Sequence, residues 1–235
     1  MQAEYMRRCG LCLLKEEEVA FFVQNLRKSH PDVEIALFPS PGEMQLMFQS
    51  DRPVDALVEL TKQQFPTFFY GEGRIEEAMA KAFIERGKTL SFAESCTGGA
   101  MAAKVTAIPG ASGYFLGSFV TYCNAWKERF LHVSRSTLET KGAVSRETVI
   151  EMVRGLLQET DADYCAAISG IAGPSGGSKQ VPVGTICIAI GVRGDRIDAG
   201  IIHAPQGRST AIDLAVHLTL GALWRRLVHQ TATFS

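Results

Sequence analysis

The chain has 235 residues, 46% hydrophobic and 21% charged, enough to bury a core; this excludes a disordered polymer and points to one full-sized domain with a short extra one. No apolar run approaches the roughly 18 residues of a membrane-spanning helix, and residues 9–14 run too soon into Lys15 and three glutamates to be a secretory core, so a cytoplasmic protein with no membrane partner is expected. With 24 Lys and Arg against 25 Asp and Glu, a formal charge of -1 offers no global field for nucleic acid.

The two ends differ within that balance. Residues 1–73 hold 7 basic and 11 acidic side chains, net -4, leaving 17 and 14, net +3, for residues 74–235. Six cysteines are too sparse for a disulfide scaffold. Cys9 and Cys12 form a lone C-x-x-C without a second pair or a His at finger spacing, so apolar packing is the better reading.

In chain order, Val19, Phe22, Val23 and Leu26 recur at helical spacing over 15–29, behind a Glu-rich first turn that suits the helix dipole. Val33, Ile35 and Leu37 alternate with polar neighbours, 39–42 turns, and Met44, Leu46 and Phe48 alternate again, which predicts a hairpin. A second helix is expected over 54–64 and a short strand over 68–70, so residues 1–73 read as a small α+β module. From Arg74 onward helix and strand alternate: helices over 75–86, 98–106, 146–159 and 209–227, strands over 89–93, 118–122, 164–169, 184–192 and 196–203, with Gly194-Asp195 as a tight turn. That pattern predicts a layered α/β domain with a mixed sheet over 74–235.

Ligands in such a domain collect beyond strand ends and at helix starts, and four segments carry polar residues there. Glu94-Ser95-Cys96-Thr97-Gly98-Gly99 opens a helix whose N–H groups would face an anion, although Ser95 or Thr97 would serve equally as a simple cap. Glu94, a carboxylate at a buried strand end, needs a partner. The second segment brackets a short strand with Ser112 before it and Tyr122, Asn124 and Lys127 after it. A Ser and a Lys brought together act as nucleophile and base without a histidine, while by spacing alone Ser112 reads as a turn residue and Lys127 as a solvated helical lysine. The third is a Gly-rich loop over 169–177, and the fourth is Gln206-Gly207-Arg208, an anion clamp or a surface ion pair beside a helix start. Histidines 30, 132, 203, 217 and 229 show no ligand spacing, so no metal is expected.

The strings Ala93-Glu94-Ser95-Cys96-Thr97-Gly98-Gly99, Phe119-Val120-Thr121-Tyr122-Cys123-Asn124, Lys141-Gly142-Ala143-Val144-Ser145, Ser169-Gly170-Ile171-Ala172-Gly173-Pro174 and Pro182-Val183-Gly184-Thr185 resemble, in order, the carboxy-terminal domain of the CinA family over residues 74–235. Residues 1–73 resemble more weakly the KH-like module that precedes it. No counterpart is expected of the still earlier family domain, which is similar to molybdopterin-binding proteins. The resemblance implies a three-layer α/β/α domain and a PncC-type nicotinamide mononucleotide deamidase that yields nicotinate mononucleotide and ammonia, with a nucleotide-binding or regulatory module without turnover and an amidase of a related nucleotide as the rival readings. It implies a catalytic dyad of Ser112 and Lys127. Glu94, Ser95, Thr97, Gly98, Tyr122, Asn124, Ser169 and Arg208 are the implied substrate-binding set. Cys123 and Trp126 replace residues that are often Ser and Ala in the family, and Gln206 stands where an acidic residue is common. A homodimer acting on a small nucleotide follows from the same likeness.

The chemistry sets requirements of its own. A primary amide resists water, so the site needs a nucleophile, an oxyanion hole and a proton for ammonia. A lysine with the ordinary pKa near ~10.4 is almost wholly charged at pH 7, so Lys127 must be desolvated or sit near another cation. Main-chain N–H groups near 110–113 or in 169–173 are the candidate oxyanion donors, and the scheme demands no cofactor. Residues 1–73 hold no G-x-x-G clamp and are acidic, so they are expected to serve structure or assembly and to bind no RNA.

Overall fold

The computed structural model describes residues 4–205 and 207–231. Among them nine strands form two sheets, and the chain divides into two compact units between Ala78 and Met79.

The first unit runs β1 (Tyr5–Cys12), α1 (Glu16–Ser29), β2 (Glu34–Ser40), β3 (Glu43–Ser50), α2 (Asp55–Gln64) and β4 (Phe69–Gly71), with the sheet in the order β2-β3-β1-β4 and every pairing antiparallel. Met44, Leu46 and Phe48 alternate inward from β3 and meet Val19, Val23 and Leu26 of α1 and Leu57 of α2 in one core. Strand β1 has no counterpart in the sequence reading. Its last four residues, Cys9 to Cys12, are all buried, so no alternation marks it, and Gly10 lies so close under the Tyr70 ring that no side chain would fit. Both thiols are buried, and burial pushes Cys9 up to about 12, so it acts as a small apolar side chain, while Cys12 also donates its S–H to Phe68 C=O at 3.3 Å.

The second unit holds α3 (Ile75–Glu85, which crosses the division), β5 (Leu90–Glu94), α4 (Ala100–Thr106), a 3-10 turn (Ala111–Gly113), β6 (Phe115–Val120), α5 (Asn124–Leu131), α6 (Arg135–Thr140), α7 (Arg146–Glu159), β7 (Tyr164–Gly170), β8 (Thr185–Val192), β9 (Ile197–His203) and α8 (Arg208–His229). Its sheet has the order β6-β5-β7-β8-β9, parallel across β6, β5 and β7 and antiparallel beyond, the mixed sheet that the sequence predicts. Ala93, Cys165, Ala167, Cys187 and Ala189 face Leu131 of α5 and Val149, Met152, Val153 and Leu156 of α7. The alternate residues, among them Phe92, Ile168, Ile188 and Ile190, point to the opposite face, which α4 and α8 cover. With both faces covered, β8 is buried over all but its last residue and reads as an unbroken apolar run. The short helices α5 and α6 are absent from the sequence reading, because neither is long enough to show an apolar stripe. No helix among the described residues is long and apolar enough to cross a membrane.

Candidate active site

Strand β5 ends on Glu94, whose side chain is wholly buried and fully engaged. One carboxylate oxygen accepts the N–H groups of Gly99 and Met101 at 3.0 and 3.1 Å, and the other accepts Ala102 N–H at 3.1 Å and the Ser118 hydroxyl at 2.9 Å. These main-chain donors are the ones a helix start leaves without intrahelical partners, and a carboxylate suits the positive end of the dipole. Anchoring α4 directly onto β5 folds the five residues between them into a tight turn. Gly98 and Gly99 supply its left-handed backbone, at φ 60° and 102°. The turn leaves Ser95 at the carboxyl end of the parallel strands, where its N–H donates to Ile168 C=O of β7 at 3.0 Å.

Lys127 reaches the same point from α5. It is 1% exposed, and its Nζ donates to Ser95 Oγ at 2.9 Å and to Thr121 C=O at 2.7 Å. Both acceptors are neutral, and among the described residues no carboxylate pairs with the ammonium. Burial therefore pushes the lysine pKa below its ordinary value, with the Cys123 and Cys96 thiols opposing only in the thiolate form. A serine hydroxyl bonded to a lysine that gives up its proton readily is an activated nucleophile. Cys96, next in the chain, is pushed up to about 11 by burial and stays a thiol.

Ser95 and Lys127 open into a cavity of about 240 Å³ walled also by Tyr122, Asn124, Ser169 to Gly173 and Arg208. Ser169 is 1% exposed and its hydroxyl donates to Ala143 C=O at 2.6 Å. Gly170 has to be a glycine, since a Cβ there would lie 2.9 Å from Ile186, 3.0 Å from Thr185 C=O and 3.1 Å from Cys96 Sγ. Arg208, the first residue of α8, donates to Gly173 C=O at 3.2 Å and to the Tyr122 hydroxyl at 3.1 Å. It thereby ties the loop after β7 to the loop after β6.

Of the residues singled out in the sequence, Ser95, Tyr122, Asn124, Lys127, Ser169 and Arg208 line one cavity. Ser112 does not join them. It is exposed on the 3-10 turn that precedes β6, whereas Lys127 bonds to Thr121 just past the other end of that strand. Six strand residues, ~20 Å of extended chain, separate them, so the pairing of Ser112 with Lys127 is corrected to Ser95 with Lys127. Glu94 is corrected from a substrate contact to the organiser of the turn, because all its acceptor positions face protein donors. Thr97 is buried, its hydroxyl without a hydrogen-bond partner among the described residues, and Gly98 is exposed, and neither lines the cavity. Of the two oxyanion segments, 169–173 lies at the cavity and 110–113 does not. Gln206 lies outside the described residues.

A family model described as the CinA C-terminal domain matches residues 72–227. A CinA-like protein of Petrotoga mobilis is 42% identical over 170 residues, 72% of this chain and 41% of that protein. Another, of Thermosipho melanesiensis, is 42% identical over 188 residues, 78% of this chain and 46% of that protein. The chain thus spans less than half the length of these curated relatives. Two solved structures are similar: the competence/damage inducible protein CihA of Agrobacterium tumefaciens, at 37% identity, TM-score 0.62, covering 63% of this chain and 91% of that one, and the competence damage-inducible protein A of Klebsiella pneumoniae, at 35%, TM-score 0.64, covering 67% and 97%.

Proposed function

Since the chain belongs to the CinA family through its C-terminal domain, we propose that it is an amidohydrolase that deamidates nicotinamide mononucleotide, with Ser95 as nucleophile and Lys127 as base. The observation that carries this reading is the buried contact of 2.9 Å between Lys127 Nζ and Ser95 Oγ at the cavity wall.

In the acting form Lys127 is neutral. It takes the hydroxyl proton as Ser95 Oγ attacks the carboxamide carbon, and it passes that proton to the nitrogen as the C–N bond breaks and ammonia leaves. Water, activated by the same amine, then hydrolyses the acyl-enzyme to the carboxylate and restores Ser95. The Cys96 N–H follows the nucleophile directly and has no main-chain acceptor among the described residues, so it is a natural oxyanion donor, with the 169–173 loop opposite it. A pyridinium ring held beside Lys127 adds a positive charge that lowers its pKa further. The guanidinium of Arg208 suits the substrate phosphate, which would displace the Tyr122 and Gly173 contacts. No cofactor enters these steps.

Ammonia release from the purified protein offered nicotinamide mononucleotide, nicotinamide riboside and nicotinamide side by side tests the reading. The mononucleotide should be preferred, Ser95→Ala and Lys127→Ala should each be inactive, and Ser112→Ala should work normally. No ammonia from any of the three would overturn the amidase assignment, and normal turnover by Ser95→Ala would overturn the dyad. Residues 1–73 we assign to structure or assembly within a homodimer; light scattering reads the oligomer, and salt-sensitive RNA binding by the full chain would sink the assignment.

A further inference from the structure

The five-stranded sheet carries a second cavity at its other end. It is about 310 Å³ and is lined by Tyr164 at the start of β7, Val192 at the end of β8, Asp195 in the β8–β9 turn, and Arg226 and Gln230 at the end of α8. Tyr164 and Val192 are register partners. Ser169, in the wall of the active-site cavity, lies five residues further along β7, so the two cavities stand about 17 Å apart on one strand.

The groups at this second site are arranged to give hydrogen bonds. Arg226 is 6% exposed, yet among the described residues its guanidinium, with five N–H donors, bonds only Asp195. The other oxygen of Asp195 accepts Arg196 N–H at 2.7 Å, so that carboxylate, itself more than half exposed, holds the arginine in place. The Tyr164 hydroxyl has no hydrogen-bond partner among the described residues, and burial raises its pKa, which keeps it protonated and able to donate. Arg86 and Lys88 act on the same phenol, and Arg86 and Arg225 act on His229, whose pKa is lowered first by burial and then by these cations, so it adds no charge at neutral pH. Among the described residues, Asp195 is the carboxylate bonded to Arg226 and Asp163 the one that acts on the Tyr164 phenol; Asp163 is held by Lys88 Nζ and Thr89 N–H, both at 2.9 Å. Arg226, Arg86 and Lys88 thus outnumber Asp195 and Asp163 around the phenol, and in the cavity wall itself Arg226 and Tyr164 have N–H and O–H groups to spare.

A phosphate monoester carries close to two negative charges at pH 7, and a guanidinium fork matches two of its oxygens. We propose that this cavity is a second ligand site, separate from the amide chemistry, that binds a small metabolite through a phosphate monoester, with Arg226 and Tyr164 as direct donors.

Calorimetric titration of the full chain with inorganic phosphate and with adenosine monophosphate tests this, in a protein carrying Arg208→Ala so that the active-site cavity lacks its own guanidinium. Saturable binding should persist in that background, fall about tenfold or more with Arg226→Gln, and fall about threefold with Tyr164→Phe, which removes one oxygen from the wall and keeps the fold if the arginine variant does not. Binding that disappears with Arg208→Ala alone, or that Tyr164→Phe leaves unchanged, would overturn the proposal. So would the lack of saturation up to about 10 mM, well beyond a millimolar Kd, or binding of citrate in place of both phosphates.

Discussion

Two lysines at opposite ends of the same sheet show how the fold sets a lysine's hold on its proton. Lys88, just before β5, is exposed and donates to Asp163 at 2.9 Å; that hydrogen bond, with the carboxylate's charge, raises its pKa above the ordinary value. Lys127, just beyond β6, is buried against a hydroxyl and a carbonyl, and burial lowers its pKa. The residue type is the same and the environments have opposite effects on the ammonium. At Lys127 the fold withholds both water and a counter-charge, which costs stability and leaves a proton that departs easily.

The largest effect should come from ending that contrast at Lys127. Loss of either member of the pair, by Ser95→Ala or Lys127→Ala, should cut kcat by about a thousandfold or more, with the double variant little worse because the two act as one unit. The sign of the pKa shift sets the pH profile. The base must be neutral, so kcat/KM should rise with pH and level off below the ordinary lysine pKa. Cys123→Asp places a carboxylate at the cap of α5, where the thiol already acts on Lys127. It should carry the rising limb to higher pH, with the rate at pH 7 falling about tenfold for each unit of displacement. A profile that stays put would show that Lys127 is not the group that titrates.

Next in size is the carboxylate that shapes the turn holding Ser95, the proposed nucleophile. Glu94→Ala leaves three main-chain N–H groups and the Ser118 hydroxyl without an acceptor in a buried place, at a cost of a few kcal/mol. Denaturant unfolding should show that loss, and kcat should fall while KM changes little, since Glu94 shapes the turn but does not itself line the cavity.

Arg208→Ala should raise KM for the mononucleotide about ten- to a hundredfold, the worth of one charge-assisted contact to phosphate. The riboside, which has no phosphate, should be nearly unaffected. Equal losses on both would make Arg208 a strap between Tyr122 and Gly173 and nothing more.

The sequence made the neighbourhood of this site legible but not its pairings. Ser95, Lys127, Ser169 and Arg208 stood out because hydroxyls, glycines and cations follow strands, and helix α7 spans the residues 146–159 expected of it, with Ser145 found as its cap. Which serine meets Lys127 depends on where each strand begins and ends in space. Ser112 is 15 residues from Lys127 and Ser95 is 32, yet the strand between Ser112 and Lys127 carries them apart while β5 and β6, lying parallel, bring Ser95 and Lys127 to one end. Burial hid β1 in the same way, since a central strand with four buried residues in a row has no period to detect.

The smallest expected effect lies at the other lysine. The Lys88 contribution, from a raised pKa, is present below the ordinary lysine value and is lost as pH climbs through the raised one. For Asp163, burial alone would raise the pKa, but the hydrogen bonds from Lys88 and Thr89 outweigh it and hold the carboxyl below its usual range. Its contribution is present above the ordinary carboxylate pKa and is lost as pH falls through the lowered one. Both are therefore in force across the neutral range. Lys88→Ala should nevertheless move the unfolding midpoint only slightly and less still in high salt, because an exposed pair is screened. Asp163→Ala should cost more, since it also strips the acceptor from Thr89 N–H and hydroxyl, at 2.9 and 3.0 Å. Thermal melts of the two variants at low and high salt check this. If Lys88→Ala proved as costly as Asp163→Ala at both salt concentrations, the ammonium itself would be holding the start of β5, and the contrast between a lysine that is merely paired and one that is buried for chemistry would fail at its paired end.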